Sequence, residues 1–95
     1  MGGMSDPAIE HEPPEEVFGL LGNRLRVDIL RALADGDPPV VFSTLRDKVE
    51  ERDSGRFNYH LRKLVGTFVR ETDAGYELTL AGRRVVGALV AGTYT

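Results

Sequence analysis

A mainly helical α+β domain is the fold class that this sequence predicts, and three features carry the expectation. Apolar residues recur at helical spacing through four successive segments up to Val65. The pattern then changes to strand–turn–strand around Asp73-Ala74-Gly75, and helical spacing returns from Ala81. Ninety-five residues with 41% hydrophobic and 28% charged content fit one small domain, too short for a cleft backed by a separate substrate domain.

Taken in order, residues 1–13 are acidic and lack periodicity, so they are expected to be a disordered acidic tail, with the folded domain spanning 14–95. Pro14 suits a first helical turn, and Glu15 and Glu16 stand where the helix dipole favours anions. Val17, Phe18, Leu20 and Leu21 make a short apolar helix that Gly22 stops. Asn23 is an N-cap for the next helix, where Leu25, Ile29 and Leu33 recur every four residues, and Asp35-Gly36-Asp37-Pro38-Pro39 ends it. Val40-Val41-Phe42 is a candidate short strand. Ser43 then caps a third helix to about Glu50, with Leu45 and Val49 turned inward. Asp53 or Ser54 caps a fourth, whose buried side is Phe57, Leu61, Leu64 and Val65. Strands over 68–72 and 76–80 form a hairpin, and Val85, Val86, Leu89 and Val90 mark the last helix. The expected core is Leu20, Leu21, Ile29, Leu30, Leu33, Leu45, Val49, Phe57, Leu61, Leu64, Phe68, Tyr76 and Leu78. Helix, helix, short strand, helix, helix, hairpin, helix is the winged helix-turn-helix plan, with a recognition helix at about 54–66 and a wing at about 68–80.

Charge is unevenly spread. The net charge of −3 combines −5 over residues 1–16, which hold no Lys or Arg, with +2 over the remainder. Residues 54–70 contain Arg56, Arg62, Lys63 and Arg70 and no acid, and a local field matters more to a polyanion than the total. Ten of the twelve cations are Arg, which fits either a high-salt organism or GC-rich coding. The chain has no Cys, which excludes disulfides, thiolate metal sites and cysteine nucleophiles and is compatible with the cytoplasm. No apolar stretch is long enough to span a membrane, so no membrane partner is expected. Met1-Gly2-Gly3 is similar to a myristoylation start, but Asp6 stands where that motif needs Ser or Thr.

On a helical wheel, Gly55, Arg56, Tyr59, Arg62 and Lys63 lie opposite the apolar stripe of the fourth helix, with Asn58 at its edge. Guanidinium and amide groups match the acceptor and donor edges of bases in the major groove, and Ser54 with the first-turn N–H groups suits a phosphate. The bland alternative is a solvated helix face. Tyr59 is either a base-contacting ring or one half-buried over the helix. Arg83 and Arg84 either touch phosphates beside the wing or are surface charge. His60, beside Leu61, is expected to pack at the core or reach a backbone carbonyl. Glu50-Glu51 has no His or nucleophile to act with, so no catalysis is expected. Gly87 and Gly92 are expected to permit close helix packing.

Four strings together resemble the ArsR-type winged-helix transcriptional regulators, most closely the archaeal, haloarchaeal branch. The string Ser54-Gly55-Arg56-Phe57-Asn58-Tyr59-His60-Leu61 is the most specific; the segment from Phe18 to Leu30 with Leu21-Gly22-Asn23, Phe42-Ser43-Thr44-Leu45-Arg46, and Leu78-Thr79-Leu80-Ala81-Gly82 support it. The resemblance covers about residues 15–92. It implies a dimer on double-stranded operator DNA, with Ser54, Gly55, Arg56, Asn58, Tyr59 and Arg62 facing the duplex. The hairpin reading adds Arg70 and Tyr76 on the wing, and Lys63, Arg83 and Arg84 complete the expected DNA surface. Metal-sensing members carry cysteines at the start of the third helix; Phe42-Ser43-Thr44-Leu45 has none, so neither metal nor cofactor is expected. Val17, Phe18, Leu21, Val86, Leu89 and Val90 form the expected dimer face. The rival function is a winged helix used for protein–protein contact in the transcription apparatus. RNA binding is disfavoured by the lack of a paired aromatic strand motif.

Overall fold

The computed structural model describes residues 19–92. The expected acidic tail, and Val17 and Phe18 of the expected dimer face, lie outside the described residues. Residues 19–21 are helical and a turn at Gly22 follows. The elements are then α1 (Arg24–Asp35), α2 (Phe42–Val49), α3 (Ser54–Leu64), β1 (Val69–Thr72), β2 (Gly75–Leu78) and α4 (Leu80–Ala91). The chain is α+β and mainly α, with a two-stranded antiparallel hairpin. Among the described residues, no helix is long and apolar enough to cross a membrane.

Side-chain caps set several boundaries. Asn23 accepts from the Leu25 N–H at 2.9 Å, Asp53 from Arg56 N–H at 3.0 Å and Thr79 from Gly82 N–H at 3.0 Å. Of the two expected caps for α3, Asp53 takes the role and Ser54 is the first helical residue. Helix α2 departs from expectation. It starts at Phe42, one residue before Ser43, and Val41 caps it without a side-chain bond. Val40 is drawn into pairing just upstream, so the chain turns helical earlier than the hydroxyl suggests. The expected strand reduces to Val40 alone, which exchanges two backbone hydrogen bonds of 2.8 Å with Tyr76. The strand expected to reach residue 80 ends at Leu78, because Thr79 caps α4.

Helix α1 is the hub: its Leu25, Ile29, Leu30 and Leu33 are buried, and it packs on α2, α3, α4 and β2. Phe57, Leu61 and Leu64 of α3 and Leu45 of α2 are fully buried, with Phe68, Val69, Tyr76 and Leu78 from the hairpin region. Leu25, Val40, Val69, Val85 and Val86 join the core beyond the expected set, whereas Leu20, Leu21 and Val49 are only partly buried against it. Val86 was expected on a dimer face. It is buried in its own domain, because α4 lies close against α1 and β2.

That approach is set by Gly82, not by Gly87 or Gly92. A Cβ at Gly82 would stand 2.1 Å from the Phe68 carbonyl oxygen, whereas one at Gly87 would meet nothing within 4 Å. Gly92 has φ 75° and ends α4 as a left-handed cap, so it serves termination and not packing. Gly75 is held by both constraints: φ is 144°, and a Cβ would stand 2.7 Å from the Val40 carbonyl oxygen. Gly82→Ala is expected to destabilise by about 1–3 kcal/mol through overpacking, and Gly87→Ala to stabilise by about 0.5–1 kcal/mol through helix propensity. Denaturant melts of the two variants beside the parent check the opposite signs.

Candidate nucleic-acid interface

Burial of Phe57, His60, Leu61 and Leu64 fixes the rotation of α3. Ser54, Gly55, Arg56, Asn58, Tyr59, Arg62 and Lys63 are all exposed as a consequence. Tyr59 is 55% exposed, standing out from the helix and not lying over it. Its ring meets His60 edge-on at 5.1 Å, and the Lys63 ammonium lies 5.2 Å from its centroid. A ring flanked by a cation and an imidazole is held upright without being covered.

The N-terminus of α3 is less open to an anion than the sequence suggests. The Asp53 carboxylate occupies one first-turn N–H, and the Asp53 N–H is itself bonded to Glu51 at 3.0 Å. Negative charge therefore already sits at the positive end of the helix.

The hairpin register determines what the expected wing residues do. Val69 pairs with Leu78, Arg70 with Glu77, Glu71 with Tyr76 and Thr72 with Gly75. Successive strand residues alternate faces, so Val69, Glu71, Tyr76 and Leu78 share the inner face and Arg70 and Glu77 the outer one. Arg70 donates to Glu77 across the outer face at 2.9 Å. Tyr76, expected to contact DNA, is buried at 8% exposure; its ring fills the core and only the hydroxyl emerges, donating to Glu71 at 3.2 Å. The second oxygen of Glu71 accepts from Arg62 Nη1 at 2.7 Å. The segment without acids thus acquires two carboxylates through folding, and two of its arginines, Arg62 and Arg70, are ion-paired. Glu71 and Glu77 are the site residues the sequence analysis missed. A two-residue turn would have given the Arg70–Glu77 pairing, but no spacing rule joins Arg62 on a helix to Glu71 on a strand.

Their acid–base chemistry follows this geometry. The hydrogen bond from Arg62 holds the Glu71 carboxyl below the usual range, and the carboxylate raises Arg62 in turn. Burial pushes the Tyr76 phenol up, with the Glu71 charge adding to it. Both side chains of the Arg62–Glu71 pair are about half-exposed, at 49% and 45%, so solvent screening leaves little for stability.

Arg56 makes no ion pair with a described carboxylate, and neither do Lys63, Arg83 and Arg84. Among the described residues Arg83 reaches the Leu78 carbonyl, at 3.4 Å. Leu89 is half-buried against the core and Val90 is 70% exposed.

His60 does not reach a backbone carbonyl. Its Nδ1 accepts from Arg26 Nε at 3.0 Å, tying α3 to α1. Burial lowers its pKa, and the Arg26 and Arg56 charges lower it further. A depressed folded-state value means that neutral His60 contributes stability above the unfolded pKa, and the contribution is lost as pH falls through the folded value. Acidification from pH 7 towards pH 5 is therefore expected to lower the denaturation midpoint more in the parent than in His60→Gln. Urea melts across that window check it; equal slopes in the two proteins would contradict the assignment.

No curated protein and no solved structure matches the chain. One family model does, over residues 14–89, a span that takes in every described element except the last two residues of α4. Because that match covers most of the sequence, the chain belongs to the family described as a domain of unknown function, DUF7347.

Proposed function

We propose that this chain is a winged helix-turn-helix transcriptional regulator that binds double-stranded DNA sequence-specifically, in the cytoplasm and without catalysis. The observation that carries the proposal is the outer side of α3. Seven exposed positions present guanidinium, amide, phenol and ammonium groups and no carboxylate, while the opposite side is locked into the core. A rigidly mounted helix with that face suits a major groove. The resemblance of Ser54-Gly55-Arg56-Phe57-Asn58-Tyr59-His60-Leu61 to ArsR-type regulators supports the same assignment.

Arg56, Asn58 and Tyr59 are assigned to base edges. Lys63, Arg83 and Arg84, which lack ion-pair partners among the described residues, are assigned to phosphates. Arg70 is tied to Glu77 and Tyr76 is in the core, so the hairpin contributes less backbone contact than a basic wing would. Asn58→Ala is expected to cost about 1–3 kcal/mol on the preferred site and relax one base position. Lys63→Ala is expected to weaken all sequences alike and reduce the salt slope by about one. Selection from random duplexes followed by titration at several salt concentrations reads both. Recovery of no enriched motif would favour a protein-contacting winged helix.

The proposal includes a homodimer. Val90 stands free at the end of α4 beside half-buried Leu89, and Leu21 is half-buried against the core at the start of the described chain. Two-fold pairing through this region would present two α3 helices about one duplex turn, ~34–36 Å, apart. Sedimentation over a concentration series should give a dimer for the parent and a monomer for Val90→Glu. A parent that stays monomeric at high micromolar concentration would contradict the pairing.

A further inference from the structure

A carboxylate on the inner face of a hairpin calls for an explanation. Glu71 shares its face with Val69, Tyr76 and Leu78, all core residues, yet it is exposed near the turn end of the hairpin, within reach of the Arg62 side chain. There it is gripped from two sides. Tyr76 donates to Oε2 at 3.2 Å and Arg62 to Oε1 at 2.7 Å. The phenol is anchored, because the Tyr76 ring is buried and its backbone N–H and C=O both bond Val40 at 2.8 Å. An unbroken chain of contacts thus runs from the core, through Tyr76 and Glu71, to one guanidinium on the exposed face of α3.

The exposed Arg62–Glu71 pair is screened by water and does little for stability, but where a bound duplex excludes water the same pair holds the guanidinium more strongly. An arginine on a helix surface ordinarily samples many rotamers, and binding must freeze them. Among the described residues Arg62 donates through Nη1 to Glu71, close to the Tyr76 hydroxyl, which leaves N–H groups of the guanidinium for another acceptor. Pairing also decides what that acceptor can be. A guanidinium beside a carboxylate presents little net charge, so contact with a phosphate would bring Glu71 towards a second anion. The O6 and N7 atoms of guanine are uncharged acceptors, and the unused donors of a paired arginine suit them. Asn58 and Tyr59 stand four and three residues before Arg62, which places all three side by side on α3.

We propose that Glu71 and Tyr76 are positioning residues that fix the Arg62 guanidinium for contact with a guanine edge at one base position. This inference rests on the DNA-binding reading of α3 and assigns Arg62 to sequence discrimination and not to phosphate attraction. The hairpin, on this account, contributes to specificity from behind the recognition helix.

The test starts from duplexes selected by the parent protein; failure to enrich any motif would overturn the DNA-binding reading itself. With a motif in hand, affinities are measured for every single-base variant of the site, using the parent, Glu71→Ala and Tyr76→Phe, with thermal melts alongside. Glu71→Ala is expected to lose about tenfold of its preference for guanine at one position, equivalent to about 1.4 kcal/mol, and to keep its preferences elsewhere. Its salt slope should steepen, because the freed Arg62 can then engage a phosphate. Tyr76→Phe retains the ring in the core and should lose preference at the same position by a smaller factor. Glu71→Gln, which keeps an acceptor for Arg62, should restore part of it. Uniformly tighter binding by Glu71→Ala with unchanged base preferences would overturn the proposal, showing Glu71 to be only a repulsive charge. Loss of preference at all positions together would also overturn it, because a loosened hairpin has that signature.

Discussion

Tyr76 is the joint on which the other elements depend. Its backbone pairs with Val40, which pins the connection between α1 and α2 to the hairpin. Its ring is in the core, and its hydroxyl holds Glu71, which in turn holds Arg62 on α3. Because both backbone groups of Tyr76 point towards Val40, its opposition to Glu71 is a non-hydrogen-bonded pair, the type in which side chains lie closest. The Gly75 backbone must pass the Val40 carbonyl with no Cβ in the way, so a conformational requirement at the turn and a packing requirement in the core meet at adjacent residues.

The exposed face of α3 is a by-product of this core. Phe57, Leu61 and Leu64 leave the helix only one rotation, and Phe42 meets Phe57 edge-on at 5.2 Å to seal the seam between α2 and α3. His60 adds a polar tie to α1 through Arg26. Among the described residues no buried side-chain polar atom lacks a partner, which fits a domain too small to tolerate many desolvated groups. The exposed side chains of α3 therefore project from a helix fixed on its inner side by apolar packing.

Much of the electrostatic character of that face comes from opposing parts of the chain. The basic stretch reads as a run of free cations in one dimension. In three dimensions Arg62 and Arg70 are ion-paired with strand carboxylates, while Arg56 and Lys63 form no ion pair with a described carboxylate. The paired and unpaired arginines are chemically different groups, the former suited to oriented hydrogen bonding and the latter to long-range attraction.

The sequence by itself determined the order of the described helices and the hairpin, the inward stripe of α3 and the Asn23 cap, because each rests on a local periodicity or a short-range hydrogen bond. It also assigned Ser54, Gly55, Arg56, Tyr59, Arg62 and Lys63 to an exposed side, with Asn58 at its edge, since burial of Phe57, Leu61 and Leu64 follows from spacing alone. Only the tertiary structure decided that Val40 pairs with Tyr76, that Gly82 rather than Gly87 lets α4 approach, and that Val86 belongs to its own core. It likewise decided that Tyr76 is buried and that Arg62 meets Glu71. Each of these depends on which residues distant in the chain come within a few ångströms of one another, and no periodicity records that.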